Sequence, residues 1–254
     1  MTNIGIVLIT LVCVFAGGLA GISLRAVLPS HHLSDETKST VGLAAGTVSV
    51  LTALVISSLI TSGRDSFEAK TREVQEFSAD LVLLDRAMAH YGTETAEARD
   101  LLRRYTALTI ELTWPEEGGS TAVPDDSGAL AMLETIQDRL RALSPTSDAQ
   151  RWLQSRALQV SGDLAQERWL LVVQAGRVIP RPVLALVVFW LTALFVSFGL
   201  FAPRNGTVIT ILFVAALSVS GAIALILEME GSSEGIITIS AEPVRSALAH
   251  MGGN

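Results

Sequence analysis

Four stretches of the chain, residues 4–24, 41–60, 182–201 and 207–227, contain no Asp, Glu, Lys, Arg or His. A helix rising 1.5 Å per residue needs about 20 apolar residues to cross a hydrocarbon core of about 30 Å. Inside lipid every backbone N–H and C=O must find its partner within the protein, and an isolated apolar run does that only as a helix. Four transmembrane helices are therefore expected. Pro180 and Pro182 suit the start of the third, where a missing N–H costs little. Pro203-Arg-Asn-Gly206 reads as a tight turn that makes the last two a hairpin.

Charge is segregated to match. Only 17% of residues are charged, against about 25% in soluble domains, and most lie between Arg64 and Arg181. This is the pattern of a membrane protein with one polar insert. The formal net charge of −7 and the absence of a basic stripe give nucleic-acid binding no support. The single cysteine, Cys13, rules out an intrachain disulfide. Val12 before it and the lack of a preceding Lys or Arg argue against a cleaved signal, so Cys13 reads as a lipid-facing or packing residue. Arg64, Lys70, Arg72, Arg168, Arg177, Arg181 and Arg245 flank one side of the spans, and Arg25, Lys38 and Arg204 the other. Basic residues concentrate on the cytoplasmic side. Both termini and the central domain are thus expected in the cytoplasm.

The insert reads as helical. In residues 66–91, Phe67, Val74, Leu81 and Met88 repeat every seven residues, as do Phe77, Leu84 and Tyr91, with Lys70 interrupting the second set. Such a seam suits packing against other helices. This helix starts so soon after the second span that the two can be one long helix, with Gly63 a possible kink and Gly92 the stop. Further helices are expected over 94–112, 129–143 and from Ser147 or Asp148 towards Val178, with 114–128 a loop. The fold class is an all-α membrane protein: spans in 1–62 and 182–228, a cytoplasmic helical bundle in 63–181, and a tail in 229–254.

Chemistry is sparse. No phosphate loop, nucleophile elbow or dinucleotide fingerprint is present, so neither an enzyme nor a cofactor is expected. His31, His32, Asp35 and Glu36 could bind a metal, but adjacent histidines point apart. Ser34 as a helix cap, with Asp35 and Glu36 in the first turn, explains the stretch better. Glu228, Glu230 and Glu234 form a candidate cation site or a solvated exit from the last span. The second span carries Gly42 and Gly46 and the hydroxyls Thr47, Ser49, Thr52, Ser57, Ser58, Thr61 and Ser62. Small residues let helices approach closely, and hydroxyls can equally line a pore. Thr47, Leu51, Ser58 and Ser62 share one face.

Residues 28–37 (Leu-Pro-Ser-His-His-Leu-Ser-Asp-Glu-Thr), 51–66, 84–92 (Leu-Asp-Arg-Ala-Met-Ala-His-Tyr-Gly), 96–103 and the ending 235–240 with Pro243 and Leu248 resemble the bestrophin-like family of small bacterial membrane proteins. That family is distantly similar to bestrophins, pentameric anion channels whose second membrane helix lines the pore and continues into the cytosol. The resemblance implies a homopentameric channel of the bacterial inner membrane, with inorganic ions and the lipid bilayer as its partners. The second span lacks the pore aromatics of bestrophins, so a constriction would come from Leu51, Leu54, Val55 or Leu59. Glu228, Glu230 and Glu234 match the bestrophin calcium clasp only loosely. The alternative is a non-conducting scaffold or sensor whose bundle binds a partner through Phe67, Phe77 and Leu84.

Overall fold

A computed structural model of the protein describes residues 3–114, 127–173, 180–230 and 239–252. Among them every regular element is helical: α1 (Asn3–Val27), α2 (Asp35–Tyr91), α3 (Ala96–Thr113), α4 (Ser127–Ala142), α5 (Asp148–Val173), α6 (Arg181–Phe201), α7 (Gly206–Glu230) and α8 (Glu242–Gly252). Helices α1, α6, α7 and the first part of α2 are long and apolar enough to cross a membrane. Residues 115–126 of the loop expected over 114–128, the junction with Arg177 and Val178, and Glu234 lie outside the described residues, and α4 takes up Ser127 and Gly128 at the end of that expected loop.

The chain gathers into two compact units, residues 1–67 with 177–231 and residues 68–176 with 232–254. Helix α2 contributes to both, because Gly63 does not break it. It begins where Ser34 caps it, with the Thr37 N–H donating to Ser34 Oγ at 3.3 Å. It ends at Gly92, whose φ of 139° belongs to glycine alone among common residues.

The first unit is built on a close crossing of α1 and α6. A Cβ on Gly21 would lie 2.2 Å from the Val196 carbonyl oxygen, and one on Gly199 would lie 2.1 Å from that of Gly18. Hydrogen bonds fix the same end: Arg25 donates to the Ala202 carbonyl at 2.6 Å, and Arg204 Nη2 to that of Ile22 at 3.1 Å. Val14, Val187, Ala216 and Ile223 form the core. Cys13 is exposed.

The second unit packs along the seven-residue seam. Val74, Phe77, Leu81, Leu84, Met88 and Tyr91 are all buried, as are Leu102, Tyr105, Leu133, Ile136, Val160 and Leu164 of the other helices, and the rings of Phe77 and Tyr105 lie 6.4 Å apart. Phe77 and Leu84 are spent on this core, so they cannot form the partner-binding seam that the scaffold reading assigned to them. Polar side chains lock the helix ends together. Thr95 Oγ1 donates to the Met88 carbonyl at 2.6 Å, and Gln154 Nε2 donates to the Leu140 and Leu143 carbonyls at 2.8 and 3.0 Å. The segment read as a tail carries α8, whose Val244, Ala247 and Met251 are buried. Arg103 Nε donates to the Met251 carbonyl at 2.8 Å, and Trp114 Nε1 to that of Ile239 at 2.8 Å.

Candidate functional site

The first part of α2 is the least covered of the four apolar helices. Of its most apolar 18-residue stretch 11% is buried, against 28–33% for the others. Its covered side is narrow: Thr52, Leu59 and Gly63 are buried, and Val55 and Ile56 pack on the core. The opposite side is open. Thr47, Leu51, Leu54, Ser58 and Ser62, five of the seven residues read as lining candidates, are exposed along it. Leu59 belongs to the core of its own unit and Val55 rests against that core, so these two do not share the open face. At 100° per residue Leu59 stands about 140° around the helix from Leu54 and about 80° from Leu51, whereas Val55, about 40° from Leu51, sits at the border of the covered side. Leu43, at 74% exposed, and Val50, at 61%, join the open face and were not singled out from sequence. A uniformly apolar helix shows no period from which to tell its inner from its outer side.

The hydroxyls on this helix are partly engaged. Thr47 donates to the Leu43 carbonyl at 3.1 Å, and Thr61 to that of Ser57 at 3.1 Å. Such back-bonding keeps a hydroxyl satisfied in an apolar medium. To meet an anion the hydroxyl must turn outward, giving up one bond worth about 1 kcal/mol net.

The other sequence candidates separate. Residues Ser30–Leu33 form a single 3-10 turn, in which His32 is exposed, and the Ser34 cap follows it. Glu228 and Glu230 lie in the last turn of α7, and Glu234 is outside the described residues. Among the described residues no group of three or more His, Cys, Asp or Glu could hold a metal ion.

An acidic cluster in the second unit was not singled out from sequence. Glu76 and Asp80 on α2 and Asp163 and Glu167 on α5 influence one another, and Glu167 Oε2 is buried without a hydrogen-bond partner. Burial, then the charges of Asp80, Glu76 and Asp163, push the Glu167 carboxyl up from the ordinary 4.5 to about 7. Asp80 is also raised, by burial and by Asp163, with Arg156 opposing. The only sequence signal is a pair of like charges four apart on each helix, an arrangement that normally weakens a helix. The sign of the pH effect follows. The folded state binds the Glu167 proton more tightly than the unfolded state, so this contribution to stability is complete below about pH 4.5 and is lost as pH rises through about 7. Glu167→Gln is expected to raise the melting temperature at pH 8, by on the order of 2–4 °C if the partly solvated carboxylate costs about 1 kcal/mol. It should also flatten the slope between pH 5 and 7.5, as thermal melts in detergent across that range would show. An unchanged slope would mean that the carboxylate is as well solvated folded as unfolded.

No curated protein and no solved structure matches the chain. A family model described as a Bestrophin-like domain matches residues 12–244, which takes in most of α1, the other three apolar helices and the whole of the helical insert. The chain belongs to the bestrophin-like family.

Proposed function

We propose that the chain is the subunit of a homo-oligomeric ion channel, most simply a pentamer, in the bacterial inner membrane. The open face of α2 lines the conduction path, and the second unit is a cytoplasmic vestibule. One observation carries the reading. The apolar helix with the least cover also carries hydroxyls on its uncovered side, at Thr47, Ser58 and Ser62. A lipid-facing surface needs no such hydroxyls, whereas copies of this helix around an axis would present them to a passing ion, with Leu51 and Leu54 as apolar constrictions. The apolar stretch of this face has no carboxylate ring to hold a cation, which supports a preference for anions.

Native mass spectrometry of the detergent-solubilised protein should show a closed ring. In liposomes, Ser58→Trp should cut ion flux at least tenfold, and Leu51→Ala should raise it, with assembly unchanged. Reversal potentials in a salt gradient report the preferred charge. A cation preference would shift the assignment of selectivity to Asp65, which lies one turn beyond Ser62 and is exposed. Wild-type flux from correctly assembled variants would remove α2 from the path, and a monomer would remove the path itself.

A further inference from the structure

A groove runs between α2 and α6 within the first unit, with a volume of about 480 Å³. Gly42 and Gly46 form one wall, and Phe198 and Phe201 the other. A Cβ added to either glycine would meet nothing within 4 Å, so the space beside them is open. Lys38, exposed and with no ion-pair partner among the described residues, lines one end. The Ala202 carbonyl, at that same end, is held by Arg25 at 2.6 Å. A guanidinium has five N–H donors, so Arg25 keeps others to offer. Two cations thus stand where a groove opens whose lining is apolar but for Ser49 and Ser197.

We propose that this groove binds one anionic phospholipid, with an acyl chain lying along the glycine wall and the headgroup phosphate held by Lys38 beside Arg25. The dimensions agree. From Lys38 to Ser49, the far end of the lining on α2, the helix rises about 16 Å, close to half of a hydrocarbon core of about 30 Å. The groove therefore has the length of one leaflet, and its cations stand at headgroup depth. Its size falls within the range of small-molecule sites, about 300–1,000 Å³. Asp35 and Glu36 are exposed in the same first turn of α2, so the phosphate is recognised by the two cations against a mixed local field. The groove lies on the side of α2 opposite Leu51, since Gly42 precedes Leu51 by about two and a half turns. A lipid here is compatible with conduction along the other side. The proposal rests on the four apolar helices lying in a bilayer and not on whether the protein conducts.

The test uses the full-length protein in detergent, titrated with phosphatidylglycerol or with phosphatidylcholine of the same acyl chains and followed by thermal unfolding and native mass spectrometry. Phosphatidylglycerol should bind more tightly and raise the melting temperature more. Lys38→Ala should weaken it about tenfold and erase its advantage, and Lys38→Arg should restore it. Gly46→Leu, or Gly42→Leu as an independent variant, should fill the groove and weaken both lipids without unfolding the protein. Equal binding by wild type and the Lys38 and glycine variants would overturn the proposal. So would an inorganic phosphate effect matching that of the lipid, which would mark a free-anion site. Loss of oligomer with unchanged lipid binding in the glycine variants would instead place a second copy in the groove. None of these outcomes depends on ion flux.

Discussion

Gly199→Leu should prevent the first unit from assembling, while the same change at Gly46 should be tolerated. The contrast comes from what each glycine faces. At Gly199 the nearest atoms to an added Cβ are the Gly18 carbonyl oxygen at 2.1 Å and the Ile22 amide nitrogen at 2.9 Å. Both belong to the α1 backbone, so no side-chain rotation makes room. Gly21 meets the α6 backbone in the same way, at the Val196 carbonyl. Side chains inserted into packed interiors cost about 1–3 kcal/mol, and more when the obstacle is backbone. Here α1 and α6 must separate, which pulls Arg25 from the Ala202 carbonyl and Arg204 from that of Ile22. Even Gly199→Ala is expected to lower the melting temperature strongly, whereas Gly46→Ala, with nothing within 4 Å, should leave it unchanged. Thermal unfolding of the purified variants checks both. A wild-type melt for Gly199→Leu would mean that the helices do not cross this closely.

This pair of glycine motifs also shows where a sequence stops being informative. Gly17 and Gly21 have the same spacing of four as Gly42 and Gly46. Only the first pair is closed by a partner, and that partner surface, Thr192 to Leu200, is remote in sequence. Spacing reveals that a helix offers a flat surface, not whether the chain covers it. For the same reason the apolar helices were legible almost to their ends, since lipid imposes length and composition on each segment alone. The seven-residue seam was legible too, and its six apolar members beyond Phe67, all buried, need only a mixed polar and apolar helix to be seen. Lys70 departs from the seam and is nonetheless buried. The inward turn of Leu59 was hidden because α2 is apolar all round in its first part. Helix α8 was hidden because its apolar stripe of Val244, Ala247 and Met251 is short, and the surface it covers on the bundle belongs to residues far earlier in the chain.

Arg99→Ala should loosen the second unit most. Asp85 on α2 is 4% exposed, and Arg99 grips it with two parallel bonds, Nε to Oδ1 at 2.8 Å and Nη2 to Oδ2 at 3.0 Å. The pair spans the Gly92 turn, where α2 hands over to α3. A two-pronged guanidinium–carboxylate contact fixes orientation as well as distance, and the carboxylate beside it raises the affinity of Arg99 for its proton. Removing one member of a buried pair costs about 3–5 kcal/mol, because the other is left charged and undersolvated. The two deletions should therefore differ. Arg99→Ala strands a carboxylate with 6% of its side chain exposed, whereas Asp85→Ala strands a guanidinium with 23% exposed and a long stem that can reach water. Hydrogen exchange is the suited measurement, since it reads the α2–α3 hairpin without requiring the whole protein to unfold in one step. Protection across Ala96–Thr113 should fall about a hundredfold or more in Arg99→Ala and less in Asp85→Ala. The double variant should lose less than the sum of the two, because each single change already breaks the same contact. Additive losses would show that the two side chains act separately, and that the turn is held instead by Thr95 and the apolar seam.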